Sequence, residues 1–393
     1  MDVTDLRIAM FSGNYNYVRD GANQALNRLV EYLQRQGAAV RIYAPVVANP
    51  AIPPNGDIVN VPAFPIPGRS EYRAPIMLPP RVKRDIRRFR PNLFHIASPE
   101  ILGLGAVKLA HRLETPVVAS VHTRFETYPR YYGLAFMEPI VEAWLRRLYR
   151  RCDAIFAPSD SMAQLLREQR MNYNVGIWTR GIDRGIFDPA RRDLAWRQSL
   201  GIADDVPVIG FVGRLVMEKG LDTFSDTIDR LERRQIQHKV LIVGDGPARN
   251  WFEKRLPTGI FVGYQSGNDL GRAVASMDVL FNPSVTETFG NVTLEAMAVG
   301  MPVVAAIATG SQCLVTDGVT GRLIRAGAID SFADALALYC QDEEVRHRAG
   351  AAGADVSRHY GWDEVNAQLV DSYIRVIRQH SAGARIPMRS PVP

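Results

Sequence analysis

Residues 279–306 read VLFNPSVTETFGNVTLEAMAVGMPVVAA, and their punctuation decides how the chain folds. An apolar run of strand length ends at Asn282-Pro283, and a Ser/Thr-rich loop follows. Gly290-Asn291 opens a short helix that Gly300 closes, and a second apolar run, Pro302-VVAA, begins at once. Continuous apolar strands joined by helices are the building unit of a parallel sheet covered on both faces. The same stretch carries two carboxylates with seven residues between them: Glu287 in the loop and Glu295 about one turn inside the helix. The loop and the helix entrance offer backbone N–H groups and the positive end of a helix to one small volume. The carboxylates flank that volume and can accept hydrogen bonds from hydroxyls. A ligand that is anionic in the middle and hydroxylated at both ends suits it, as a nucleoside-diphosphate sugar is.

Outward from this unit the pattern repeats. In the second half, VPVIGFVGRL, KVLIVGDGPAR and IFVGY read as further strands, and GLDTFSDTIDRLERR as a helix. In the first half LRIAMFS, AVRIYAP, NLFHIAS, TPVVASVH and CDAIFAPSD read as strands. GANQALNRLVEYLQRQ, capped by Gly37, and LGLGAVKLAHRL read as helices between them. Pro-rich sequence of low helix tendency separates the second and third of these strands. IWTRGIDRGIFDPARRD, rich in turn formers and charge, reads as a linker. The expected fold is α/β: two doubly wound, Rossmann-like domains facing across a cleft. The length of 393 residues also suits two cores better than one.

Composition is that of a globular chain, 47% apolar and 22% charged, with no run approaching the ~18 apolar residues of a membrane span. The N-terminus runs straight into a strand behind Asp2 and Asp5, unlike a secretory signal. Cys152, Cys313 and Cys340 are scattered, which fits small side chains in a reducing cytosol and neither a disulfide framework nor a zinc site. The net charge of +6 points to an anionic partner. RVKRDIRRFR (81–90) holds six basic residues and one acid, and WLRRLYRR (144–151) four more basic residues. Val82, Ile86 and Phe89 recur at helical spacing and leave the arginines on the other face. That face is either solvated or a docking surface for an anionic membrane.

GRLVMEKG (213–220) follows a strand and precedes a helix, with Arg214 and Lys219 set between Gly213 and Gly220. At the carboxyl end of a parallel strand these cations would neutralise a diphosphate and stabilise it as a leaving group. His122 also stands just past a strand, where an imidazole can donate to a sugar hydroxyl or a phosphate. His95, inside a strand, and His111, inside a helix, read as structural. The first βα turn, SGNYNYVRDGANQ, lacks a G-x-G-x-x-G fingerprint, yet Gly21 ahead of a helix allows a phosphate to approach the backbone. No D-x-D triplet, P-loop, G-x-S-x-G elbow or H-E-x-x-H helix is present. No metal and no cofactor are therefore expected.

In this order, the first βα turn, the histidine after a strand, the G-R-x-x-x-x-K-G segment and E-x7-E followed by A-M-A-x-G-x-P-V-V-A resemble the GT-B retaining glycosyltransferases of family 4. TDGVTGRLI and the closing YGWDEVNAQLVDSYI resemble that family too, so the match runs nearly the whole chain. The resemblance implies an acceptor-binding domain over 1–180 and a nucleotide-sugar domain over 181–360. A helix over 361–380 would cross back to the first domain, ahead of a disordered tail over 381–393. It implies that Arg214 and Lys219, beside Gly213, hold the donor diphosphate, with Gly21 approaching from the other domain. Glu295 would accept from the ribose, and Glu287 from the donor sugar, helped by the N–H groups of Phe289, Gly290 and Asn291. Gly263-Tyr264 would border the base, and His122 the reacting carbon. The reaction implied is front-face transfer with retention, the leaving phosphate taking the acceptor's proton. HTRFETYPRYYG and WTRGIDRGIFDP look most like enzymes that add mannose or an acidic or neutral hexose to glycerolipids. The implied partners are thus a GDP-mannose, UDP-hexose or UDP-uronic acid donor and a lipid acceptor at an anionic membrane surface, with no nucleic acid.

Two departures stand out. Relatives carry Asn-Gly at Arg180-Gly181, where an arginine would lie near the donor or the acceptor headgroup, and a Gly-Gly-x-Pro-Glu segment where this chain has ATGSQCLV. Other readings are a soluble-acceptor transferase of the sucrose or trehalose type, a GT-B sugar-nucleotide epimerase and a silent lipid-binding scaffold. E-x7-E followed by A-M-A-x-G counts against the epimerase, and the intact charged set against the scaffold.

Overall fold

The computed structural model describes residues 1–383 apart from 16, 18–20, 52, 67–68, 76, 128 and 130–132. Two compact units emerge: residues 1–180 together with the segment from Trp362 onward, and Gly181–Gly361. The tail expected over 381–393 falls mostly outside the described residues, and Ser381 still belongs to the last helix, Trp362–Ser381.

The first unit holds β1 (Arg7–Phe11), β2 (Ala39–Ala44), β3 (Asp57–Asn60), a hairpin of β4 (Ala63–Ile66) and β5 (Arg69–Pro75), β6 (Leu93–Ile96), β7 (Val117–Ser120), β8 (Ala154–Ala157) and β9 (Val175–Ile177). Outside the hairpin they form one parallel sheet, in the order β3-β2-β1-β6-β7-β8-β9. Side chains alternate between its faces, as the two-residue period of a strand requires. Ala9 and Phe11 pack with the helices Pro80–Phe89, Ile101–Arg112 and Asp160–Glu168. Ile8 and Met10 pack with the helix Gly21–Arg35 and with Trp362–Ser381. The latter helix buries Val365, Leu369, Val370, Tyr373, Val376 and Ile377, one apolar stripe that holds it against this sheet.

The Pro-rich stretch contributes strands, not loop alone: β3 joins the sheet edge, and Pro65 sits in a two-stranded hairpin with no central ladder to break. Short β9 also escapes sequence reading. Its Gly176 leaves room for the Phe156 ring, which an added Cβ would meet at 2.8 Å. In the helix Pro80–Phe89, Val82, Ile86 and Phe89 are buried while Arg81, Arg84, Arg87 and Arg88 are exposed. Its one acid, Asp85, is committed to Arg41 at 3.1 Å and to the Tyr43 hydroxyl at 3.0 Å.

The second unit holds β10 (Val208–Val212), β11 (Lys239–Val243), β12 (Ile260–Gly263), β13 (Val279–Asn282), β14 (Val303–Ala306) and β15 (Gly321–Ile324), all parallel, in the order β12-β11-β10-β13-β14-β15. This is the order of a doubly wound nucleotide-binding sheet, with its reversal between β10 and β13. One largely covered carboxylate fixes the starts of those two strands. Asp278 accepts from the Val208 N–H at 2.8 Å, from Arg197 at 2.9 Å and from Arg192 at 2.8 Å. Arg197 is fully buried and also donates to the carbonyls of Ser276, Ala203 and Val206.

The first sheet reverses between β1 and β6, and an unexpected carboxyl sits there. Glu100 occupies the N-cap position of the helix Ile101–Arg112 without capping it. Its carboxyl lies instead against Gly13, where an added Cβ would meet Oε2 at 1.9 Å. Oε2 has no hydrogen-bond partner among the described residues, and burial pushes this carboxyl up to about 7 although a hydrogen bond from Ser98 opposes the shift.

Two outcomes follow for stability. Arg197→Ala leaves the largely covered Asp278 with only Arg192 as cation, and should cost about 3 kcal/mol in urea unfolding. A loss under about 1 kcal/mol would remove the clamp from this account. Glu100 binds its proton more tightly folded than unfolded, where it titrates near 4.5. Its contribution to stability is therefore full below pH 4.5 and is lost as pH rises to about 7. Glu100→Gln should stabilise by about 1–3 kcal/mol at pH 8 and by much less at pH 4.5, read as melting temperature against pH.

Candidate active site

Where β10 and β13 part, their loops leave in opposite directions, and the two charged motifs are those loops. After β10 the chain makes a one-turn helix, Met217–Lys219, and stops at Gly220 with φ +74°. A Cβ at Gly220 would come within 3.0 Å of the Pro283 carbonyl oxygen, so glycine alone lets this turn settle on the loop after β13. The result is an ion pair across the reversal: Lys219 Nζ donates to Glu287 Oε1 at 2.5 Å, both side chains partly open to solvent. Gly213 and the exposed Arg214 begin the same loop.

Gly290, with φ +93°, starts the helix Asn291–Ala298, whose first-turn N–H groups have no partner within the helix. Phe289 turns its ring into the core against Tyr360, centroids 5.8 Å apart, so only its backbone can serve a ligand. Glu295 lies one turn on. Burial pushes its carboxyl up to about 7, and the charge of Glu287 adds to the effect, so the two carboxylates feel one another. Gly263, with φ +72°, and the half-exposed Tyr264 close β12, two strands away on the same end of the sheet. The second unit thus gathers Gly213, Arg214, Lys219, Glu287, Phe289, Gly290, Asn291, Glu295, Gly263 and Tyr264 at the carboxyl ends of its strands.

Sequence reasoning missed what braces this loop. The Glu287 carbonyl accepts from Thr309 Oγ1 at 2.7 Å and from the Gly310 N–H at 2.8 Å. A Cβ at Gly310 would come within 2.8 Å of Glu287 and 2.7 Å of Phe289. The segment ATGSQCLV is therefore built against the E-x7-E loop. Its divergence from the family pattern was the available signal. Cys313 lies in it, half-buried, with its thiol donating to the Gly310 carbonyl at 2.9 Å.

The first unit holds the other two expected residues. Gly21 is the first residue of the helix Gly21–Arg35. His122, just past β7, differs from expectation: Nε2 lies 2.8 Å from Ser120 Oγ and Nδ1 2.7 Å from Arg180 Nη2, so both ring nitrogens have protein partners. Burial, with the neighbouring Arg180 charge, holds it well below the ordinary imidazole range, and it is neutral. Arg180 itself is only 4% exposed, packed over Trp178 at 5.2 Å. His95 is buried, and His111 bonds the Arg151 carbonyl. Among the described residues no group of three or more His, Cys, Asp or Glu is placed to hold a metal ion. No helix among them is long and apolar enough to cross a membrane.

The chain is similar to known proteins over most of its length. Residues 19–185 match the family model described as Glycosyltransferase Family 4, and residues 193–356 the model Glycosyl transferases group 1. The chain is 31% identical to the GDP-mannose-dependent alpha-mannosyltransferase of Mycolicibacterium smegmatis, over 96% of this chain and 100% of that one. It is 30% identical to the sulfoquinovosyl transferase of Arabidopsis thaliana, over 92% of this chain and 72% of that one. Among solved structures, sucrose-phosphate synthase from Thermosynechococcus elongatus superposes with a TM-score of 0.77 at 18% identity, covering 95% of this chain and 99% of that one. HepE of Anabaena, in complex with UDP, does so with a TM-score of 0.75 at 18% identity, covering 94% and 100%. The chain belongs to glycosyltransferase family 4 and has the GT-B fold, with the charged loops of its second sheet where that sheet reverses.

Proposed function

We propose that this glycosyltransferase moves a hexose, with retention of configuration, from GDP-mannose or a UDP-hexose to a hydroxyl of a membrane glycerolipid. The observation that carries the reading is the Lys219–Glu287 pair at the reversal of the second sheet, with Glu295 beside it. A nucleotide sugar answers each group there. Its diphosphate takes Lys219 and Arg214 and lies at the entrance of the helix Asn291–Ala298, beside Gly213. Its sugar hydroxyls replace Lys219 as donors to Glu287, and its ribose hydroxyls donate to Glu295. Tyr264 borders the base. In the transfer the bond from the anomeric carbon to phosphate breaks as the acceptor oxygen attacks the same face, and the acceptor proton passes to the leaving phosphate. The cations stabilise charge developing on that phosphate, and no metal is needed for it. The printed names of the mannosyl- and sulfoquinovosyl-transferase relatives support a hexose donor. A lipid acceptor is supported by the exposed arginines of the helix Pro80–Phe89 and by exposed Phe136, Ile140 and Trp144.

The test is nucleotide release from GDP-mannose and from UDP-glucose, with and without phosphatidylglycerol vesicles carrying dioleoylglycerol. Release should rise with the vesicles, and Lys219→Ala should lower it by about two to three orders of magnitude. Turnover by Lys219→Ala close to that of the native chain would sink the assignment of the leaving-group site. Release indifferent to lipid would move the acceptor to the soluble class. Donor binding should also depend on pH. Hydroxyls donating to Glu295 favour its carboxylate, which burial and Glu287 otherwise allow to form only near pH 7. Affinity for the nucleotide sugar, whose diphosphate does not titrate in this range, should therefore rise about tenfold from pH 6 to pH 8 and level off. Calorimetry on Glu295→Gln should show a flat profile, and an equally steep one would remove Glu295 from the ribose site.

A further inference from the structure

Within the first unit a hydrogen-bonded chain runs from the surface-directed end of β7 to the last helix. Arg180 Nη2 lies 2.7 Å from His122 Nδ1. His122 Nε2 lies 2.8 Å from Ser120 Oγ, and Ser120 Oγ 2.8 Å from His95 Nε2. His95 Nδ1 lies 2.8 Å from Tyr373 Oη on the helix Trp362–Ser381. Trp178 packs against both imidazoles, at 5.4 Å from His122 and 6.1 Å from His95, and donates its Nε1–H to Asn366 of the same helix at 3.3 Å. Every member from Ser120 to Tyr373 is buried.

The direction of this chain is fixed at one end. A guanidinium can only donate, so Nδ1 of His122 must accept. A neutral imidazole that accepts at Nδ1 carries its proton on Nε2, so that N–H points inward to Ser120. The ring is neutral because burial and the adjacent guanidinium both oppose its charged form, and His95 beyond it is pushed down to about 3 by burial. Arg180 is itself held by the Trp178 carbonyl at 3.0 Å, the Thr179 carbonyl at 3.2 Å and the Trp178 ring.

We infer that Arg180 is a positioning residue for glycosyl transfer: its contact with Nδ1 fixes His122 as a single tautomer, N–H inward, so that the imidazole serves the reaction as a shaped, uncharged wall and not as a proton donor. This rests on the proposed glycosyl transfer and on the role that the family resemblance implies for His122. It changes what His122 is expected to do there, and it gives the departure from Asn at position 180 a physical role. An asparagine amide can donate or accept, and so leaves the tautomer open.

The test reads tautomer and turnover separately. In protein labelled with 15N-histidine, His122 is assigned by its loss in His122→Gln, and its two-bond 15N–1H pattern reports which nitrogen is protonated. Native protein and Arg180→Lys, whose ammonium also only donates, should show the Nε2–H form alone. Arg180→Met should show an Nδ1–H population. Its nucleotide release from GDP-mannose or UDP-glucose should fall about a hundredfold with donor affinity unchanged, and Arg180→Lys should recover most of the rate. Should Arg180→Met not fold, as judged by its melting transition, Arg180→Leu takes its place. A pure Nε2–H form in the Met or Leu variant overturns the inference, and so does a changed tautomer with native turnover. Absence of nucleotide release from the native protein would instead overturn the donor reading and leave the tautomer result standing on its own.

Discussion

A single, largely covered carboxylate sets the geometry of the second unit. Asp278 ties the first residue of β10 to the residue before β13 and is itself held by two arginines from the segment that leads into the unit. Strands of four and five residues have little length over which to lose register, so fixing where they start fixes where they end. The loops that carry Lys219 and Glu287 therefore leave from set points, and a 2.5 Å ion pair can form between residues 68 apart in sequence. The buried arginine is costly to desolvate and gains most of its return from carbonyl partners, an arrangement that favours one geometry over many.

The architecture was legible because parallel sheets write themselves as apolar runs between helices. The apolar strands β1, β2, β6, β7, β8 and β10 to β14, the helix that Gly37 follows and the helix opened by Gly290 stand where period and punctuation put them. Strands without an apolar run did not show: β9 is one residue on either side of a glycine, and β4 contains a proline. The charged set of the second unit was legible because it is local, two motifs at two strand ends. What sequence could not give was partnership across distance. Nothing in HTRFETYPRYYG shows that its histidine spends both nitrogens on Ser120 and Arg180, since the latter stands 58 residues away. The buried carboxyl of Glu100 escaped sequence reading as well, because it lies against a glycine of a turn far away in the chain.

The two units treat polar burial differently. In the second, polar side chains at the strand ends stay partly open to solvent, and their charges pair with one another. In the first, the His95 imidazole, the Ser120 hydroxyl and the Tyr373 phenol are buried in one line, so each must find its partner in the protein. A line of this kind joins the residues after β7 to the helix that returns from the second unit, and a change at either end alters which atoms donate along it.

The Lys219–Glu287 pair has a consequence for selectivity among the many anions of a cell. Lys219 is paired with Glu287, so an incoming anion meets a carboxylate at that lysine. On the proposed reading, a ligand that brings negative charge for the lysine and hydroxyls for the glutamate exchanges both partners at once, whereas a small anion exchanges one.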